Sequence, residues 1–213
     1  GDWRFNRFIL HHAALAAAAG GVESFIIGSE MRGLTQMRDD LGFPAVNRFR
    51  ALAAQVRSLL PDAKLSYAAD WSEYFGFQPQ DGSGDVYFHL DPLWADPDID
   101  FIGVNARLPL SDWREGDAHK DAHYGAIHNL EYLAGNVCGG EGYDWDYLSP
   151  EAHAAQLRHP ISDPLGEDWL ARSKDFAGWW GNAHHARIGG ERQAVASPWV
   201  PGSKPFRFMT LGC

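Results

Sequence analysis

Cysteine is nearly absent. Cys138 and Cys213 are the only two in 213 residues, too few for a disulfide framework and outside any metal-ligand spacing. Long apolar runs are missing as well. The longest, Ala13 to Gly21, is mostly alanine and falls short of the ~18–20 residues that a membrane span needs. Nor is there a basic stretch: 18 Lys+Arg against 28 Asp+Glu leave a formal net charge of −10, which argues against nucleic acid as a partner. The opening Gly1-Asp2-Trp3-Arg4 has neither the basic nor the apolar part of a signal peptide. No G-x-S-x-G elbow, phosphate-binding glycine loop or dinucleotide fingerprint occurs, so nothing points to a cofactor. Asp81-Gly-Ser-Gly-Asp85 looks like a calcium loop but lacks the later bidentate glutamate. His184 and His185 are adjacent, so in an extended chain they point to opposite faces. No metal is expected.

What remains is ordinary globular composition, 45% hydrophobic and 22% charged, with a surplus of flat side chains: 9 Trp, 7 Tyr and 12 Phe. The length fits one domain over 1–213. Spacing of apolar residues predicts helices over 3–19, 45–60 and about 123–137. Short β-branched runs predict strands at 23–28, 64–69, 100–104 and 206–210. Helices alternating with strands imply an α/β fold with a parallel sheet. Between 139 and 204 the periodicity fails, with at best short helices near 150–158 and 168–181. Such a stretch reads as an irregular excursion. Four strands are too few to close an eight-stranded barrel. The chain also starts on a helix and stops after a strand, which suggests one segment of a longer polypeptide.

In a parallel α/β architecture the chemistry gathers at the C-terminal ends of the strands. The first strand runs into Glu30, the sharpest candidate. A carboxyl group there can be desolvated and serve as a general acid; a second reading has it capping the next turn or pairing with Arg32. The next strand end offers Asp70, Trp71 and Tyr74, a carboxylate and aromatics of the kind that hold sugars, although a buried Trp71 is an equal reading. Asn105 follows the third strand, with Trp113 just beyond. His89, Asp91 and Trp94 repeat the polar–aromatic mixture in a loop. Glu141, Tyr143 and Trp145 do so on a glycine-loosened backbone, as a ligand-closing loop or an acidic surface turn.

Several long runs resemble one family. They are Ile27-Gly-Ser-Glu30-Met-Arg-Gly-Leu-Thr35, Ser66-Tyr-Ala-Ala-Asp70-Trp-Ser-Glu-Tyr-Phe-Gly76 and the segment from Gly82 to Pro97. Pro109-Leu-Ser-Asp-Trp113, Gly139-Gly-Glu-Gly-Tyr-Asp-Trp145 and Lys204-Pro add to them. Together they resemble the glycoside-hydrolase-like TIM-barrel domain of the large tail-tip protein of gene transfer agents and related siphophage tails. The resemblance implies a (β/α)8 TIM-barrel-like fold, here a partial barrel of roughly the fourth to seventh strands. It also implies a place in a baseplate hub concerned with host specificity. Its partners would be other tail-tip proteins, the remainder of its own polypeptide, and cell-wall or capsule glycan. The particle would be assembled in the cytoplasm and act outside the cell. Related retaining glycosidases carry their acid/base on strand four, where Glu30 falls, and their nucleophile on strand seven. There the resemblance implies a carboxylate, and this chain has Thr210. Asp70, Glu141 or Asp144 would have to substitute, or the barrel binds glycan without cutting it. A purely structural hub domain is the third reading.

Overall fold

The computed structural model describes residues 4–212. Residue 3, where the first predicted helix starts, and Cys213 lie outside the described residues. In chain order the elements are α1 (Phe5–Ala18), β1 (Ser24–Ser29), α2 (Arg32–Thr35), α3 (Pro44–Leu59), β2 (Lys64–Asp70), α4 (Asp91–Trp94) and β3 (Ile102–Arg107). After them come α5 (Leu130–Cys138), β4 (Trp145–Asp146), α6 (Pro150–Ala154), β5 (His159–Pro160), α7 (Phe176–Gly181), β6 (Arg187–Ile188), β7 (Glu191–Arg192) and β8 (Phe206–Gly212). The chain falls into two compact units, residues 1–106 with 180–210 and residues 107–179 with 211–213. The irregular stretch of 139–204 is divided between them.

The first unit carries a parallel sheet in the order β1-β2-β3-β8. The Ile102 amide donates to the Pro205 carbonyl at 2.8 Å where β8 joins β3. The sheet is open, and no barrel closes among the described residues. Leu65 to Ala69 and Ile102 to Ala106 are buried without a break, as in strands covered on both faces. Over them lies α3, whose Val46, Phe49, Leu52, Ala53 and Val56 form one buried stripe. The Phe49 ring meets Tyr67 at 5.2 Å and Phe5 of α1 at 5.8 Å. Gly28 makes room for it, since a Cβ there would stand 2.9 Å from the ring. At the other end of α3, Arg57 donates to Asp100 at 2.5 Å, and the Leu65 amide donates to the same oxygen at 2.8 Å. Desolvation works against the Asp100 charge, yet these two donors hold the carboxyl below its usual range.

Element boundaries move where side chains compete for the backbone. The helix predicted from 123 begins at Leu130, because Asn129 accepts from the Glu131 and Tyr132 amides at 2.9 and 3.1 Å and so makes the N-cap. Gly125, with φ 78, has already ended a short 3-10 turn over Ala122–Tyr124. The third strand starts at Ile102 rather than 100, since Asp100 is drawn to Arg57 and Leu65. β8 runs on to Gly212. The helices predicted near 150–158 and 168–181 shrink to α6, a 3-10 turn over Asp168–Leu170, and α7. Ser149 caps α6 by accepting from the Ala152 amide at 3.2 Å.

The second unit has little regular structure and is tied by charge. Asp112 is buried and accepts from Tyr147 at 2.5 Å and Arg158 at 2.7 Å. Arg158 also reaches Asp121 at 2.6 Å. Desolvation alone would raise the Asp112 carboxyl; Tyr147 and Arg158 hold it below the usual range.

Candidate functional site

The C-terminal edge of the sheet gathers the polar groups of the first unit. Glu30 directly follows β1, and its amide donates to the Ala68 carbonyl at 2.9 Å. Its side chain is exposed, and its φ of 52 is a left-handed conformation that a non-glycine residue adopts only under constraint. Asp70 closes β2 and stands in register with Asn105 of β3, while Ser29 stands in register with Ala68. Paired and alternate residues share a face, so Ser29, Ala68, Asp70 and Asn105 lie on one side. Tyr67, which meets Phe49 of α3, lies on the other. On the first side a chain of hydrogen bonds crosses the sheet. Thr210 of β8 donates to the Asn105 carbonyl at 3.1 Å, and the Asn105 amide donates to Ser29 at 3.0 Å. Ala68 has only a methyl group, which leaves the Asn105 amide a path over β2. Asp70 folds back on its own turn, accepting from the Ser72 amide at 2.9 Å and the Ser72 hydroxyl at 2.5 Å.

Beneath this edge, on the α3 side, is a residue that sequence reasoning passed over. Glu73 has no solvent exposure. It accepts from the Thr35 hydroxyl, from Tyr67 at 3.0 Å and from the Asp70 amide at 3.1 Å. The Tyr67 oxygen in turn accepts from the Met31 amide at 2.7 Å. Desolvation pushes the Glu73 carboxyl up, and its three donors only partly offset that. Burial, with Glu73 beside it, pushes the Tyr67 phenol up as well. The cluster fastens Met31 and Thr35 to β2. They bracket the turn that follows Glu30, so it fixes the backbone on which Glu30 stands. The signal in the sequence was an acid three residues past a strand-end aspartate.

The remaining candidates of the first unit lie elsewhere. Tyr74 is packed against Phe206 at 5.7 Å, and Trp94 is fully buried against Tyr67 at 6.2 Å; neither ring has an open face. Trp71 is half-buried in the Asp70 turn. Asp91 is buried at the first turn of α4, where it pairs with His184 at 2.8 Å and accepts from the Ser197 hydroxyl. His89 is 2% exposed, and burial pushes its imidazole down to about 4. His184 and His185 turn to different partners, Asp91 and the Gln193 carbonyl.

Comparison with protein-family models matches the gene transfer agent TIM-barrel-like domain over residues 3–213. The chain belongs to that family. A comparison with curated proteins found no match. In this gene-transfer-agent-related domain, the residue where the resemblance implies a second carboxylate is Thr210, and its hydroxyl is engaged with Asn105.

The second unit of the domain carries the other candidates. Glu141 is half-buried, and its carboxyl is pushed up by desolvation and by the charges of Asp146 and Asp112. Lys174 is buried and donates to the Asn136 and Gly139 carbonyls at 2.9 and 3.1 Å. Desolvation lowers it to about 8. Trp145 lies under the Arg158 guanidinium at 4.3 Å, and Tyr143 under that of Arg172 at 4.9 Å. Trp113 meets His119 at 4.4 Å and Tyr132 at 5.7 Å.

Proposed function

We propose that this domain engages cell-envelope glycan as part of the tail-tip or baseplate hub of a virion-like particle, and that it does so without retaining hydrolysis. The observation that carries the reading is the Ser29–Asn105–Thr210 chain. It sets hydroxyl and amide groups at the same strand-end edge as Glu30 and Asp70, with an alcohol where a nucleophile is needed. Retaining hydrolysis needs two carboxyl groups ~5–5.5 Å apart. A hydroxyl replaces one of them only when a base activates it, and the Thr210 hydroxyl donates to an amide carbonyl, which is no base. Of the carboxylates that would have to substitute, Asp70 lies on the same face, and it is held by Ser72. An edge rich in hydrogen-bonding groups suits the hydroxyls of a sugar whether or not a bond is cut. Within the particle the partners are other tail-tip proteins and the remainder of the same polypeptide, the domain acting as a partial barrel over 1–213.

The chain is to be incubated with peptidoglycan and capsule fragments while reducing ends and tryptophan fluorescence are followed together. A saturable fluorescence change without new reducing ends is expected. Reducing ends released by the wild type but not by Glu30→Gln would establish a glycosidase instead. Silence in both signals would leave a purely structural hub domain.

A further inference from the structure

Asparagine is mostly an exposed residue, because burial leaves both ends of its amide in need of partners. Asn105, near the end of β3, is only 6% exposed. Its amide nitrogen donates to Ser29 of β1 at 3.0 Å, and its carbonyl accepts from Thr210 of β8 at 3.1 Å. Ser29 and Thr210 are themselves exposed. A single buried amide therefore holds two exposed hydroxyls that come from the two outer strands of the sheet.

The amide also fixes the sense in which each hydroxyl can bond. A serine or threonine hydroxyl on its own rotates to suit its surroundings. An amide nitrogen can only donate, so the Ser29 oxygen accepts from it and keeps its own proton for an outside acceptor. A carbonyl can only accept, so the Thr210 proton is spent inward and its oxygen remains for an outside donor. Among the described residues no group accepts from the Ser29 hydroxyl and none donates to the Thr210 oxygen. The two oxygens are separated by one amide and its two hydrogen bonds, a gap that the hydroxyls of one sugar ring can bridge.

We propose that Asn105 is a positioning residue of the glycan site: without touching the sugar, it presents Ser29 as a donor and Thr210 as an acceptor to two hydroxyls of one ring. The inference rests on the glycan reading and adds to it a fixed hydrogen-bond sense. Setting both hydroxyls in advance lowers the ordering cost of binding. A donor at one end and an acceptor at the other suit sugar hydroxyls, each of which can play either part.

The test is a tryptophan-fluorescence titration of the full chain with soluble peptidoglycan and capsule fragments, at several pH values. Asn105→Asp keeps the shape of the side chain but, when ionised, offers acceptors only. It then draws the protons of both Ser29 and Thr210 inward, and binding at about pH 8 should weaken by about tenfold or more. Once protonated, the introduced carboxyl regains one donor and one acceptor. Burial and the Asp70 carboxylate in register with it raise its pKa. Affinity should therefore recover toward wild type by about pH 5, judged against a wild-type profile over the same range. Thr210→Val removes the outward oxygen at an exposed position and should weaken binding about fivefold, while Thr210→Ser binds like wild type. Circular dichroism confirms that each variant is folded. Should Asn105→Asp not fold, the Thr210 pair decides alone. With a wild type that binds, three results would overturn the positioning role and leave the glycan reading standing. They are folded Asn105→Asp binding like wild type at about pH 8, its weakened binding failing to recover in acid, or Thr210→Val binding like wild type. A wild type without any saturable signal would overturn both.

Discussion

At Glu73 three donors converge on a carboxyl that water does not reach, and desolvation still raises it. A raised carboxyl in the folded state means that the native protein holds its proton more tightly than the unfolded chain. The stabilisation is therefore fully present below the ordinary value of 4.5 and is lost as pH rises through the folded value. Urea midpoints of wild type and Glu73→Gln, followed from about pH 4 upward, should diverge, the wild type falling relative to the variant. Curves that stay parallel would refute the shift. Thr35→Val removes one donor from a buried acid and should cost about 1–3 kcal/mol, measured by the same denaturation. Lys174 works in the opposite direction. Its ammonium is lowered to about 8 by desolvation, so the folded protein sheds that proton first and gains stability as pH climbs from about 8 toward 10.5. A carbon-13 methyl label on Lys174 should titrate near 8; a midpoint near that of free lysine would show the amine to be hydrated.

At the scale of elements, the sheet depends on close approach between β2 and β3. A Cβ on Gly103 would stand 2.7 Å from the Tyr67 carbonyl, which is backbone and cannot rotate away. On Gly28 it would stand 2.9 Å from the Phe49 ring, which is side chain rather than backbone. Gly103→Ala should therefore cost about 1–3 kcal/mol, and Gly28→Ala clearly less. Chemical denaturation of both variants checks the ranking, and the reverse order would show that α3 rather than β3 is the tighter neighbour. The same elements explain the strand-end chain. With Ala68 small and Asp70 turned onto Ser72, Asn105 spans from Thr210 to Ser29.

At the scale of the whole molecule, the two compact units are fastened by different physics. The first is built on apolar stripes and unbroken buried strands. The second hangs on Asp112, Arg158 and Asp121, with short elements around them. Arg158→Met would leave Asp112, whose side chain is 3% exposed, without its main cation. Stranding a buried charge costs about 3 kcal/mol or more. Amide exchange at Tyr132, Tyr147 and Gln156 should accelerate accordingly; unchanged protection there would show that Tyr147 and Arg114, which pairs with Asp112 at 2.9 Å, suffice. No helix among the described residues is long and apolar enough to cross a membrane.

Much of the fold could be read from the chain because it rests on local pattern. Apolar spacing marked α3, and β-branched runs marked the strands. A parallel sheet then places Glu30, Asp70, Asn105 and Thr210 at one edge, since the C-terminal strand ends of a parallel sheet lie together. What the pattern could not carry was contact between residues distant in sequence. Glu73 looked like one more polar residue in a turn until Thr35 and Tyr67 closed over it, across sequence gaps of 38 and 6. His89 and Asp91 looked alike in one loop. Tertiary packing gave Asp91 the partners His184 and Ser197 and left both His89 nitrogens without one. Start sites of helices and strands shifted wherever a side chain such as Asn129 or Asp100 captured backbone amides. Residue type and spacing determined which elements form and which strand ends meet. Only the tertiary structure decided which of the polar groups are desolvated, because desolvation depends on what the rest of the chain places around them.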